Sequence, residues 1–600
     1  MSTAVFKRAA LIPALVRGLI LVLAPLSAFY LSQFVYGADL GQLAPGIVLA
    51  NALCIGALYY PLCAVTARPA LSCVVLHLLL GLWGAANYFV SVFRGSPVLP
   101  WDLTALGTAA AVSGSYDFTP TWRMVLALVL IALLAAALVL LRRAGLLPLP
   151  RRRLPLRAGC LAASLLCLIP VLRPQLLGDF GVRTDVWDQA GAYRTGGTVA
   201  VFLRNTEFMS VEEPEGVTYE RLSQIMSQVS PADTPQVGAE RPNIVAIMNE
   251  SWADFEEFGQ LSLTQSVTDF IRSLDNAVWG HAYTSVFGAG TSASEFEFLT
   301  GNSMAFLPSG SIPYQQYILD ESPSLASLLR DQGYRTLAFH PGERTSWQRN
   351  QAYPLLGFQD FKCGEDMDVP QEMAHGYVSD RSDFQQIIWE FEHKQAGEPL
   401  FLFNVTIQNH GSYTDPDYPA QVQLTDAPGA YPMAEQYLTL VNETDQAFQL
   451  LVDYFSQYDE PTLIVMFGDH QPSVEQAFLD KAYGVVQDEM SMEQYMDKFR
   501  VPFVIWTNYP LELEGPADTS LNFLGQYLLR YAGIESDSYG QYLWDLQTQL
   551  PAITFVGYLD PAGKAYSHLE TNAYTEKILD YQRLQYDRLF GGDNSYFRSQ

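Results

Sequence analysis

The first 172 residues are laid out as five long apolar runs, near positions 10–36, 44–67, 70–93, 122–141 and 157–172. At 1.5 Å per helical residue, each is long enough, or nearly so, to cross a hydrocarbon core of about 30 Å. The last is the shortest and contains Pro170. Core helices of a soluble fold do not follow one another this closely at this length, and a cleaved leader would explain only the first run. From residue 243 the pattern changes. Short β-branched or aromatic runs alternate with helical spacing: NIVAIM (243–248), TLAF (336–339), LFLFNVT (400–406), TLIVMF (462–467) and VPFVIW (501–506). Their near-continuous apolarity suits strands buried on both faces, so the pattern predicts an α/β unit around a largely parallel central sheet.

Residues 173–240 read as a connector. The stretch 191–208 is mildly apolar, able to lie on a membrane face or pack on the next domain, and 219–229 has helical spacing. The segment SPADTPQVGAERP is polar and Pro-containing, as a linker should be. Ala190-Gly191-Ala192 has the small-x-small form of an export-peptidase site, but reads better as a turn. The expected organisation is therefore a five-span α-helical transmembrane domain (1–172), a connector (173–240) and an extracellular α/β domain (241–600).

Charge sharpens that division. Residues 1–172 carry 12 Lys and Arg against 3 Asp and Glu, whereas 173–600 carry 23 against 60, in a chain of net charge −28. Lys7, Arg8, Arg17, Arg68, Arg142, Arg143, Arg151, Arg152, Arg153 and Arg157 fall on one side if the spans alternate. Only Arg94 and Arg123 fall on the other, so the N-terminus is expected inside and the acidic half outside the cell membrane. The loop opening with RGSPVLPWDL would then be external, with Trp101 suited to the interface. Cys54, Cys63, Cys73 and Cys167 lie within spans, Cys160 near a span end and Cys363 alone outside, which leaves no disulfide framework. The acidity argues against nucleic acid, since nothing outside could neutralise a phosphate backbone. Any anionic substrate needs a local cation.

Four of the five predicted strands are followed by chemistry. Asn249-Glu250 follows the first; His340, then Trp347 and Arg349, follow the second; Asn409-His410 follows the third; Gly468-Asp469-His470 follows the fourth. Ligands of open α/β sheets bind outside the carboxyl ends of the strands, so these residues are expected to converge. Thr291 lies apart, in GAGTSASEFEFLTGN (288–302), where an amphipathic helix could begin. It is either a helix N-cap or a hydroxyl placed where free N–H groups and the helix dipole favour an alkoxide or phosphate. Glu250, Thr291, Asp469 and His470 make an oxygen-rich set with one imidazole, suited to Mn²⁺ or Mg²⁺, with Zn²⁺ also accommodated. A metal there would lower the pKa of the Thr291 hydroxyl and make it a nucleophile. Arg349 can clamp phosphate oxygens, either His340 or His410 can protonate a leaving alkoxide, and Trp347 can stack on substrate or sit in the core.

With these residues the chain resembles the lipoteichoic acid synthase and phosphoglycerol transferase family, a membrane-anchored branch of the alkaline phosphatase and sulfatase superfamily. The resemblance runs through five spans, RGSPVLPWDL, PNIVAIMNESW, GTSASEFEFLTGNS, FHPGERTSWQRN, NHGSY, GDHQPS and the closing YQRLQYDRLFG. It implies one divalent ion, Mn²⁺ first among the candidates, on Glu250, Thr291, Asp469 and His470, with Thr291 as nucleophile. His340, Trp347, Arg349 and His410 match the family's substrate-contacting positions. The implied reaction takes glycerol phosphate from phosphatidylglycerol through a glycerophospho-threonine to a glycerol-phosphate polymer or glycolipid anchor, as in lipoteichoic acid synthesis. Alternatives are another glycan or lipid acceptor, a phosphatidylethanolamine donor, or a non-catalytic membrane protein that binds a polyanion. Sulfatase activity is not expected, because Thr291-Ser292-Ala293-Ser294 lacks the C/S-x-P-x-R context.

Overall fold

Five N-terminal helices are long and apolar enough to cross a membrane: Ile12–Tyr36, Pro45–Thr66, Pro69–Val92, Trp122–Arg143 and Leu154–Leu172. The computed structural model describes residues 2–94, 97–103, 118–147, 153–184, 189–209, 211–231, 241–308, 311–510, 518–592 and 595–597. It divides into two units, 1–211 with 308–311, and 212–307 with 312–600. Most of the 94–121 loop, the linker stretch 232–240, and Arg151 and Arg152 lie outside the described residues.

In the first unit the chain after the fifth span continues into two short helices, Gln189–Gly196 and Thr198–Arg204. The expected turn at Ala190-Gly191-Ala192 is thus helical, and Ala192 and Tyr193 are buried. The reason is long-range. Gln33 donates to the Tyr193 carbonyl and accepts from the Thr198 amide, both at 3.0 Å. Asn51 donates to the Gly196 carbonyl and accepts from the Ala200 amide, both at 2.9 Å. These two buried amides satisfy the backbone on both sides of Gly197, which breaks the helix at φ 90°. Residues 191–208 thereby belong to the unit of the apolar helices. Trp101 is buried there too, rather than displayed at an interface.

The second unit is built on an eight-stranded sheet. Its strands include β1 (Asn243–Asn249), β2 (Ala277–Tyr283), β3 (Arg335–His340) and β4 (Asp360–Cys363). A small hairpin, β5 (Met373–Ala374) and β6 (Tyr377–Val378), stands outside it; β7 (Leu400–Val405), β8 (Thr462–Gly468), β9 (Arg500–Thr507) and β10 (Asp518–Ser520) complete it. The order is β10-β2-β9-β8-β1-β7-β3-β4. Every neighbouring pair is parallel except those of β9, which runs antiparallel to both β2 and β8. All five predicted strands form. VPFVIW is as apolar as the others but reversed, a feature its pattern does not encode. β2 escapes the pattern because its inward residues alternate with half-exposed ones around Gly280.

The four strands followed by chemistry are the contiguous centre of this sheet, β8-β1-β7-β3. Register brings their ends level: Asn249 pairs with Gly468, Met248 with Val405, and Phe339 with Asn404. The residues just beyond therefore emerge side by side. Gly468 is required at that rim, since a Cβ there would lie 2.1 Å from the Trp252 carbonyl oxygen.

Candidate active site

Thr291 is the first residue of the helix Thr291–Thr300, whose ten residues are all buried. The cap position belongs to Gly290, at φ 103°, and no side chain caps this end. Of the two readings, Thr291 is therefore not the N-cap. Its hydroxyl instead lies 3.4 Å from Glu250 Oε2. Ser294, one turn on, donates to the Asp469 backbone carbonyl at 2.6 Å and ties the helix start to the end of β8.

Glu250, Asp469 and His470 are buried and present ligand atoms within 4.8 Å of one another. Asp469 Oδ1 accepts from the backbone amides of Ser251 at 2.6 Å and His470 at 2.8 Å. Its Oδ2 has no hydrogen-bond partner among the described residues and lies 3.3 Å from His470 Nε2. His470 Nδ1 donates to the Gln471 carbonyl at 3.0 Å, so the lone pair sits on Nε2, 3.7 Å from Glu250 Oε1. Burial and the Glu250 charge together push the Asp469 carboxyl above its ordinary range. Two buried carboxylates and an imidazole lone pair turned on one another repel without a cation between them, so the group fits a divalent ion.

Neighbouring residues fix these groups, and two of them, Ser251 and Thr406, were no part of the sequence expectation. Ser251 adopts φ 53°, which aims its amide at Asp469, and its hydroxyl donates to Glu250 Oε1 at 3.0 Å. Thr406 Oγ1 accepts the Glu250 amide at 3.1 Å. Behind them Asn249 donates to buried Asp380 at 2.8 Å and accepts from Asn409 at 3.0 Å, joining the exits of β1 and β7. None of these has a distinctive spacing; only the side-by-side strand ends make them partners.

The remaining residues flank this cluster differently. His340 is buried and donates from Nδ1 to the Val405 carbonyl at 2.8 Å, which bares Nε2. Burial, then the nearby Arg349 and His410, hold its pKa well below the ordinary value, so it is neutral. His410 is exposed, with Nδ1 donating to the Gly411 carbonyl at 2.7 Å. Trp347 is half-buried at φ 56°, an uncommon backbone state for a large side chain that costs about 1–3 kcal/mol and clusters at functional sites. Arg349 is fully buried and donates from Nε at 3.0 Å and Nη2 at 2.6 Å to Glu295 Oε1. At least that edge of its guanidinium belongs to the protein and is not open to a phosphate.

A mostly parallel sheet with buried acidic and imidazole ligands at its central strand ends, beside a helix opened by a hydroxyl residue, defines a sulfatase-type α/β domain. Residues 242–534 match the Sulfatase family model. The chain carries a domain of that family, in the alkaline phosphatase superfamily, with lipoteichoic acid synthases among its relatives. It is 31% identical over 415 residues to a Rhizobium meliloti protein named for cyclic beta-1,2-glucan modification, covering 68% of this chain and 63% of that one. It is 24% identical over 369 residues to the lipoteichoic acid synthase of Staphylococcus saprophyticus, covering 58% and 55%. The match thus spans less than two thirds of either relative. The structure of the Streptococcus pyogenes phosphoglycerol transferase GacH in complex with sn-glycerol-1-phosphate aligns with TM-score 0.52 and 18% identity, over 64% of this chain and 97% of that one. That likeness concerns the fold. With its five spans, the chain is a multi-pass membrane protein and an enzyme-type member of the superfamily, with a candidate metal site at Glu250, Asp469 and His470.

Proposed function

We propose that this protein transfers glycerol phosphate from phosphatidylglycerol to an acceptor hydroxyl outside the cell, with the N-terminus cytoplasmic. The observation that carries the reading is the Thr291 hydroxyl, at a helix N-terminus and 3.4 Å from Glu250 in a buried cluster of metal-ligand type. Glu250, Asp469 and His470, with Thr291, would hold one divalent ion, Mn²⁺ first for a set of oxygens with one imidazole. When bound, that ion lowers the pKa of the Thr291 hydroxyl and offsets phosphate charge.

Thr291 Oγ, its proton released to solvent, attacks the phosphorus of the lipid headgroup, forming a phosphorus–oxygen bond as the bond to diacylglycerol breaks; the same alkoxide is restored when the acceptor displaces it. The leaving alkoxide takes a proton from His410, whose exposed ring can exchange with solvent. The glycerophospho-threonine is then attacked by an acceptor hydroxyl, which gives its proton to His410 as Thr291 is released. Neutral His340 accepts a hydrogen bond from a glycerol hydroxyl through its bare Nε2. Trp347 stacks on the substrate, and Arg349 lends positive charge from behind, fixed by Glu295. Membrane tethering raises the effective concentration of a lipid donor.

Two acceptors are supported by different relatives. The lipoteichoic acid synthase likeness favours a glycerol-phosphate polymer or glycolipid anchor; the Rhizobium meliloti relative favours a glucan hydroxyl. The test is diacylglycerol release by full-length protein in vesicles of headgroup-labelled phosphatidylglycerol, with Mn²⁺, with chelator, and with Thr291→Ala. Release that needs both metal and Thr291 supports the donor assignment. Label found on added glucan rather than in a ladder of glycerol phosphates selects the acceptor. No release from intact, metal-loaded protein rejects the donor, and phosphatidylethanolamine vesicles come next.

A further inference from the structure

His410 is the exposed member of the eight candidate site residues. An imidazole that moves protons must hold one orientation, yet a surface side chain is free to change rotamer. Tyr377 supplies the missing restraint. Its ring lies against the His410 ring, centroids 5.2 Å apart and planes tilted by 49°. Its hydroxyl donates at 3.2 Å to the Gly411 carbonyl, the same oxygen that accepts His410 Nδ1–H at 2.7 Å. Phenol and imidazole thus meet at one acceptor.

The hairpin carrying Tyr377 is itself fastened to the His410 loop. At its tip, His375 Nε2 lies 2.6 Å from the Gln408 carbonyl, two residues before His410. The tip turns through His375 at φ 33° and Gly376 at φ 97°. Burial and the Glu250 charge raise the Tyr377 pKa, so the phenol remains a hydrogen-bond donor.

We propose that Tyr377 is a positioning residue for His410. Its ring braces one face of the imidazole, and its hydroxyl holds the Gly411 carbonyl that selects the Nδ1–H tautomer and bares Nε2. The kinetic part of this inference rests on the phosphoglycerol-transfer reading; the brace itself does not.

The experiment compares full-length wild type with Tyr377→Phe, Tyr377→Leu and Tyr377→Ala. In the lipid assay, Tyr377→Ala and Tyr377→Leu are expected to lower kcat about tenfold with KM and metal binding unchanged, while Tyr377→Phe, which keeps the ring, stays within about threefold. In a His410→Ala background, Tyr377→Ala is expected to cost nothing further, because both changes remove one function. Full additivity there overturns the proposal. An activity-independent arm follows carbethoxylation of His410 by diethyl pyrocarbonate with peptide mass mapping, using exposed His393 at the far end of the helix Asp380–His393 as reference. Faster labelling of His410 in Tyr377→Ala and Tyr377→Leu supports the brace, and labelling equal to wild type rejects it. Should the wild type not turn over lipid, the donor assignment falls and the labelling alone decides the brace.

Discussion

Arg349 and Glu295 close on each other inside the second unit, with Nη2 2.6 Å from Oε1 and both side chains out of solvent. Tyr353 donates to the other carboxylate oxygen at 2.6 Å. Breaking such a pair from one side leaves a buried charge without a partner. Glu295→Gln is expected to destabilise the unit by about 3–5 kcal/mol, and Tyr353→Phe by about 1–3 kcal/mol. Denaturant unfolding of the purified protein measures both. A cost below about 1 kcal/mol for Glu295→Gln would mean that Arg349 finds its counter-charge elsewhere.

Gly342 guards the free face of His340. A Cβ there would lie 2.4 Å from His340 Nε2. Gly342→Ala is expected to displace the ring and cut diacylglycerol release about tenfold or more, with melting temperature little changed. Unaltered turnover would remove His340 Nε2 from the reaction.

His281 on β2 faces two acids, 2.5 Å from Glu257 and 3.3 Å from Asp518, its register partner on β10. Burial alone would lower its pKa, but the Asp518 and Glu257 carboxylates, which accept from the imidazolium, outweigh it and push it up to about 9. A pKa raised on folding adds stability that is full below the unfolded value near 6.5 and is lost as pH climbs toward 9. Wild type should therefore lose on the order of 2 kcal/mol across that window relative to His281→Gln. Parallel stability curves for the two proteins would reject the linkage.

Gln33 and Asn51 brace the break at Gly197 with their side-chain amides. Gln33→Ala or Asn51→Ala should leave buried backbone groups unsatisfied, at about 1–3 kcal/mol each. Limited proteolysis of detergent-solubilised protein is expected to cut near Gly197 in the variants but not in wild type. The same burial predicts that wild type is not processed at Ala192.

The legible part of the site was the part carried on strand ends. Glu250, His340, His410 and Asp469 each follow an apolar run, and a parallel sheet sends such residues to one rim. Thr291 was legible as a hydroxyl at a helix start, but not that the cap position itself falls to Gly290 in the left-handed region. Ser251, Thr406 and Tyr377 carried no signal, because a serine, a threonine or a tyrosine in a loop is ordinary composition.

By itself the sequence determined the division into five apolar helices and an acidic α/β unit, and the strands of its sheet centre, because hydrophobic period and length are local properties of the chain. Only the tertiary structure decided the reversal of β9, the helical course of 189–196 and the partner of each buried charge. Glu295 meets Arg349 across 54 residues, and the Ser251 amide meets Asp469 across 218. Such pairings depend on strand register and packing between distant segments, and no window of the sequence contains both members.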